Sequence, residues 1–241
     1  MSRVLIVTDI HGNKDALDAV IADAADAARI WCLGDIVGYG PEPGACLAWV
    51  REHCEVVLSG NHDYAVFEPS VVDDFNPNAA AAAAWTREQL SAADVAYLRS
   101  LPSMVEGEGV TLAHGSPADP IWTYILSVID ARDAFTAFVG PRCFVGHTHV
   151  AACYVQDTAA TSRLPIANDE PIVLDGARYI INPGSVGQPR DRDPRAAYLW
   201  YDPETVTVIW KRVAYDIARV QAKILGAGLP ERLAARLALG Q

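Results

Sequence analysis

The 241-residue sequence predicts an α/β fold, and three observations predict it. A short β-branched run followed by an amphipathic helical pattern repeats in the first third of the chain. The successive runs end beside oxygen-bearing side chains, Asp9, Asp35 and Asn61, spaced 26 residues apart each time (35 − 9 and 61 − 35). Late in the chain, two alternating runs flank Asp202-Pro203, the pattern of an antiparallel hairpin.

The elements follow in order. Arg3–Val7 reads as a strand, and Asn13 caps a helix through about Ala28, with Leu17, Val20, Ile21 and Ala24 on one face. Ile30–Leu33 is a second strand, Pro41–His53 a second helix and Val56–Leu58 a third strand. Two strand–helix–strand crossovers of this kind place parallel strands with their carboxyl ends at one edge, where open α/β sheets bind ligands. The pattern then turns helical. Asn76-Pro77-Asn78 opens a helix over Ala79–Gln89, and Ser91 with Asp94 forms a capping box for a helix to Ser100. Val110–Ala113 is a strand delivering His114, Val128–Phe138 a helix, and Cys143–Val145 a strand delivering His147 and His149. Residues 156–170 are polar and turn-rich and give no clear element. Arg178–Ile181 is a strand, Ala196–Tyr201 and Thr205–Val213 form the hairpin, and Asp216–Leu239 is helical with a break near Gly226–Pro230. No linker forces a boundary, so we expect one domain with a helical insertion at about 67–102.

Composition narrows the function. Lys plus Arg is 19 against 30 Asp plus Glu, a formal net charge of −11, which argues against a dedicated nucleic-acid binder. No apolar stretch approaches membrane-spanning length, and Val4–Val7 is too short for a signal peptide, so no membrane role is expected. The five cysteines form no C-x-x-C pair and read as free thiols, which suits a cytoplasmic protein. Only base rates bear on assembly, and they allow a homo-oligomer.

The chemistry gathers at the strand ends. Five of six histidines sit beside glycine in the motifs Asp9-Ile10-His11-Gly12, Gly60-Asn61-His62-Asp63, His114-Gly115 and Gly146-His147-Thr148-His149, to which Gly34-Asp35 adds a carboxylate. Each motif alone is short enough to be a capped turn or a surface histidine pair. Together they give Asp9, His11, Asp35, Asn61, His114, His147 and His149, a mixed imidazole and oxygen set. Such a set suits manganese, iron, cobalt, nickel or zinc better than calcium. Seven ligands exceed one four-coordinate site, and a bridging Asp35 would give each of two metals four. His53 lies mid-helix without such neighbours and reads as structural or surface.

These five motifs resemble the calcineurin-like metallophosphoesterase superfamily over residues 9 to 149. The later segment Asn182-Pro183-Gly184-Ser185-Val186-Gly187-Gln188-Pro189-Arg190 resembles its small bacterial and archaeal branch, the YfcE-like or MJ0936/MJ0912-like phosphoesterases. The resemblance implies a four-layer α-β-β-α sandwich with two mixed sheets and a dinuclear site at its top edge. It implies Asp9, His11, Asp35 and His149 on one divalent ion and Asp35, Asn61, His114 and His147 on the other, manganese first among the candidates. It also implies in-line attack by a bridging hydroxide, with His62 protonating the leaving oxygen. One departure matters. The protein Ser/Thr phosphatase branch carries Gly-Asp-x-Val-Asp-Arg-Gly where this chain has Gly34-Asp35-Ile36-Val37-Gly38-Tyr39-Gly40. Gly38 stands where an aspartate would orient the acid histidine, and Tyr39 where an arginine would hold phosphate. A diester carries one negative charge fewer than a monoester dianion and needs less arginine help, so the expectation is a phosphodiesterase on a small or nucleotide-like phosphate ester. The alternatives are a phosphomonoesterase, acting on nucleotides or proteins, and a non-catalytic metal-binding scaffold. Candidate substrate contacts are Asn61, Tyr39 and Arg190. Arg163 and Arg192 are weaker ones, and Trp122 with Tyr124 reads first as a packed aromatic cluster, with stacking on a nucleobase or aryl leaving group as the alternative.

Overall fold

A computed structural model describes residues 3–107, 109–158 and 160–241. The first crossovers form as the periodicity requires: β1 (Val4–Val7), α1 (Lys14–Asp23), β2 (Arg29–Cys32), α2 (Pro43–His53), β3 (Val56–Val57) and α3 (Asn61–Phe67). A 3-10 turn, Pro69–Asp74, leads to α4 (Pro77–Gln89) and α5 (Ala92–Ser100). The chain continues through β4 (Met104–Gly107), β5 (Val110–Ala113), α6 (Val128–Ala134), β6 (Arg142–Phe144), β7 (Ala152–Gln156), β8 (Thr161–Leu164), β9 (Pro171–Val173) and β10 (Arg178–Asn182). The hairpin β11 (Ala196–Asp202) and β12 (Thr207–Val213) and the helices α7 (Ile217–Gly226) and α8 (Glu231–Leu237) complete it.

Two mixed six-stranded sheets result, in the orders β3-β2-β1-β11-β12-β9 and β4-β5-β6-β10-β7-β8. Strands β1, β2 and β3 are parallel, as are β5, β6 and β10, while the hairpin pairs antiparallel to β1. Strand alternation sorts side chains between layers. Val4 and Ile6 of β1 join Leu199 and Trp210 against Leu112, Phe144 and Ile181 of the other sheet, forming the core between the sheets. Leu5 and Val7 face outward onto Leu17 and Val20 of α1 and Leu47 and Val50 of α2. On the opposite outer face, Ala131, Ala134 and Phe135 cover Cys143, Tyr154 and Ile180. The order of layers is therefore helix, sheet, sheet, helix, as the motif resemblance implies.

Several boundaries differ from expectation. Helix α1 stops at Asp23 rather than near Ala28. The Ala24 N–H closes onto Val20 and the Ala27 N–H onto Ala24, a turn that frees Arg29 to begin β2. The expected helix Val128–Phe138 tightens into a 3-10 turn over Phe135–Ala137. Strands β4, β8 and β9 carry no alternating apolar signal because they lie at or next to sheet edges with half their side chains in water. The Ser91–Asp94 capping box is present in both directions, at 3.2 and 3.0 Å.

Candidate metal centre

The parallel strands deliver their motifs to one edge. Asp9 follows β1, Asp35 follows β2, Asn61 follows β3, His114 follows β5, and His147 and His149 follow β6. All seven predicted ligand residues are buried there. Their donor atoms form two groups that could each hold a metal ion: Asp9, His11, Asp35 and His149, and Asp35, His114 and His147. Within each group the donor atoms lie within 4.8 Å of one another. Asn61 joins the second group through its Oδ1, 3.3 Å from His114 Nε2.

The backbone is distorted to achieve this. Asp9, His11, Asp35, Tyr39, His147 and His149 all have φ between 49° and 66°, in the left-handed region. Each such residue costs on the order of 1–3 kcal/mol and persists only where its surroundings over-determine it. The surroundings are identifiable. Asp9 N–H donates to Gly34 and His11 N–H to Asp35, joining the first loop to the second. The 182–190 segment clamps from above: Ser185 Oγ and Gly187 N–H both donate to the Asp9 carbonyl, and Asn182 Nδ2 donates to Gly146 and Thr148. A Cβ on Gly187 would lie 1.8 Å from the Ile10 carbonyl oxygen, so only glycine lets these loops meet.

Each histidine of the set has one ring nitrogen on a backbone carbonyl. His11 Nδ1 donates to Val37 at 3.0 Å, His114 Nδ1 to Leu33 at 2.9 Å, His149 Nδ1 to Gln188 at 2.6 Å, and His147 Nε2 to Trp122 at 3.1 Å. A carbonyl only accepts, so those nitrogens carry the proton and the other nitrogen of each ring points inward. His11 Nε2 and His149 Nε2 face each other at 3.0 Å, and His114 Nε2 faces His147 Nδ1 at 3.2 Å. Burial drives His11 and His149 well below the usual imidazole range and His147 down to about 3, so these rings are neutral. Lone pair therefore faces lone pair between His11 and His149, with Asp9 Oδ1 only 3.2 Å from His149 Nε2.

The carboxylates complete the pattern. Asp9 Oδ2 accepts from Thr8 Oγ1 and the His147 N–H, but its Oδ1 is buried without a hydrogen-bond donor. Asp35 Oδ1 accepts from the His62 N–H at 2.8 Å. Its Oδ2 is buried with no hydrogen-bond partner, 3.4 Å from both His11 Nε2 and His114 Nε2, and so belongs equally to the two groups. Burial opposes charge on Asp35, but His114, His62 and His11 outweigh it and hold the carboxyl well below the usual range. Burial likewise opposes charge on His114, yet the Asp35 carboxylate lifts that ring to about 9. Orphaned oxygens among inward-facing imidazoles fit divalent cations, and the carbonyl bonds are those that fix the tautomer of metal-ligating histidines.

His62 stands beside the set. Its ring lies 4.3 Å from Tyr39, 4.9 Å from His11 and 4.9 Å from Phe75, centroid to centroid. Its buried Nδ1 has no hydrogen-bond partner. Asp63 does not orient it, because the Asp63 carboxylate accepts the N–H groups of Ile36, Val37 and Gly60 and ties the second loop to the third. Gly38, with φ 86°, packs directly on the ring, and a Cβ there would lie 2.6 Å from His62 Nδ1. At the position where the sequence departs from the protein-phosphatase pattern, Gly38 therefore packs on the His62 ring. Burial lowers His62 to about 4.

Among the softer candidates, Tyr39 is brought to the site with its ring 4.7 Å from His11. Arg190 is half-buried, sits over the Tyr39 ring and donates to Gln188. Arg163 is turned away onto the Ala151 carbonyl and Tyr154, and Arg192 N–H bonds Gly240. His53 is exposed and stacked on Trp49. The orienting carbonyls of Leu33, Val37, Trp122 and Gln188 escaped the sequence reading, since a backbone carbonyl has no residue signature.

The calcineurin-like phosphoesterase superfamily domain matches residues 2–205. The chain belongs to the calcineurin-like phosphoesterase superfamily. That family suggests a phosphoric ester hydrolase using divalent metals, and the Asp/His groups are where this chain could hold metal. The uncharacterized protein MJ0912 of Methanocaldococcus jannaschii is 37% identical over 249 residues, covering 100% of this chain and 99% of that protein. A metallophosphoesterase structure from Sphaerobacter thermophilus superposes with a TM-score of 0.90 at 45% identity, covering 99% of both chains. The hypothetical protein PH1004 of Pyrococcus horikoshii shares the fold, with a TM-score of 0.79 at 22% identity, 100% of this chain and 99% of that one being covered. Among the described residues, no helix is long and apolar enough to cross a membrane.

Proposed function

We propose that this superfamily member is a cytoplasmic, dinuclear metal-dependent phosphodiesterase acting on a small or nucleotide-like ester, with manganese the first candidate metal. The observation that carries the dinuclear reading is Asp35 Oδ2, orphaned and equidistant at 3.4 Å from one imidazole of each group. Asp9, His11, Asp35 and His149 would hold one ion, and Asp35, Asn61, His114 and His147 the other. Two such ions, when bound, lower the pKa of a shared water and clamp phosphate oxygens for in-line displacement.

The chain's own residues do the rest. Asn61, His62 and His147 line a cavity of about 220 Å³ that opens onto the second group. Among the described residues no lysine or arginine lines that cavity, and Asp74 does. Among the described lining residues a monoester dianion would meet no lysine or arginine, Arg190 standing behind Tyr39, which supports the diester preference. His62, in reach of this cavity, is the proposed general acid. It is neutral at neutral pH in the polypeptide alone, and an entering phosphate anion favours its protonated form. Tyr39 and Asn61, with Arg190 behind Tyr39, are the proposed substrate contacts.

The test is kcat/KM on bis(4-nitrophenyl) phosphate against 4-nitrophenyl phosphate, using protein stripped by chelator and reloaded with Mn²⁺. The expected result is metal-dependent turnover favouring the diester. A large monoester preference would reverse the substrate assignment. Undiminished turnover in protein shown by elemental analysis to hold no metal would remove the metal-dependent reading.

A further inference from the structure

The aromatic rings around the cavity fall into two separate groups. Tyr39 and Phe75 pack on His62. Separately, Tyr124 lies parallel on His147, with centroids 3.8 Å apart and planes 12° apart. Trp122 belongs to the second group: its carbonyl accepts from His147 and its indole is held edge-on by Tyr64 at 5.8 Å. All four rings line the same cavity, and among the described residues no ring pair joins the two groups. The packed cluster expected of Trp122 and Tyr124 does not form: they are 37% and 43% exposed. Large aromatic surfaces left in water beside a buried polar site mark a place for a ligand.

We propose that this slot takes the flat ring of a nucleobase carried by the phosphate ester, specifically a base with an exocyclic amino group. The proposal rests on the phosphoesterase reading for the placement of phosphate but not for the slot itself. Partly exposed aromatic rings lining one cavity suit a planar group, because base–aromatic stacking uses the π-face that every base offers. The outer lining chooses a heteroaromatic ring over a plain phenyl. Asp74 supplies an acceptor-only carboxylate. Asn76 spends its Oδ1 on the N–H groups of Asn78 and Ala79, which leaves its amide NH₂ to donate. An acceptor beside a donor matches a base edge that presents an amino group next to a ring nitrogen, the edge adenine shows. With Asp74 and, among the described residues, no lysine or arginine in the lining, the ring end of the ligand is not an anion.

Two measurements test this. Saturation-transfer NMR with adenosine, which has no phosphate, reads the slot without depending on metal or turnover. Adenosine base protons should receive saturation in wild-type protein, lose it in the Trp122→Ala/Tyr124→Ala variant and keep it in Trp122→Phe/Tyr124→Phe. Calorimetry on Mn²⁺-loaded wild-type protein should show adenosine 5′-monophosphate binding about tenfold tighter than ribose 5-phosphate, the scale of one stacked base. No transfer to adenosine, unchanged transfer in the double alanine variant, or equal affinity for the two phosphates would each overturn the proposal. Failure of the phosphoesterase reading looks different: diester turnover would be absent while transfer to adenosine persists.

Discussion

The two groups of candidate metal ligands use the same kinds of side chain in different surroundings. The group of Asp9, His11 and His149 is sealed: all three are at most 2% exposed, all three sit at positive φ, and the 182–190 segment closes over them. In the group of Asn61, His114 and His147, Asn61 and His147 border the cavity while His114 is fully buried behind them, and Tyr124 is stacked on His147. The sealed side holds its donors by backbone strain that many hydrogen bonds maintain. The open side holds His147 partly through Trp122, a residue that is itself half in water. On the proposed reading this is a division of labour, in which one half would fix the centre and the other would meet the substrate.

Asp35 is the one side chain both halves share, so its replacement tests whether they form one centre. Asp35→Asn removes the charge from the orphaned oxygen between His11 and His114. We expect metal content to fall from both halves together and turnover to fall by more than the roughly 100-fold that loss of a ligand's hydrogen-bonding partner costs. Loss of one metal equivalent with the other retained would show two independent sites.

The next effect belongs to the open side alone. His62→Asn should lower kcat by about 100-fold, the lower range for a general acid, while metal content stays unchanged. The defect should shrink for a leaving group of low pKa, which needs little protonation. Gly38→Ala pushes a methyl group onto His62 Nδ1 at a position with φ 86°, so it should displace the ring and mimic part of that loss, by about tenfold. Metal loss in either variant would assign His62 to the centre itself rather than to the cleft.

Legibility in the sequence follows the same division. Asp9, Asp35 and Asn61 were visible because β-branched runs ending at 26-residue intervals announce parallel strand ends. The histidines were visible because His11, His114 and His147 each adjoin a glycine just after a strand, and His149 shares the His147 motif. What positions them was not. The carbonyls of Val37, Leu33 and Gln188 look like any others until the loops fold against each other. Strand β8 carries Ser162 and Arg163 outward at the end of its sheet, so its ladder exists through pairing with β7 rather than through an apolar pattern. Trp122 and Tyr124 read as a packed cluster because hydrophobic composition says nothing about which partners arrive. In the fold they face a cavity rather than each other.

The smallest effect separates the halves by their protons. Burial keeps His11 and His149 neutral, so the sealed side can take a cation without displacing a proton from an imidazole. On the open side, His114 is lifted to about 9 by Asp35, against its own burial, and is an imidazolium at pH 7.5. A metal ion there must expel that proton. The sign follows directly: affinity of the open side should rise with pH up to about 9 and then level, while affinity of the sealed side should change little above neutrality. Titration calorimetry with Mn²⁺ at pH 7.5, in two buffers of different protonation enthalpy, counts the protons released. We expect about one proton over the full titration, confined to one of two binding steps. Release in both steps, or in neither, would erase the distinction between the halves, because the Asp35–His114 pair would then not be what sets the open side apart.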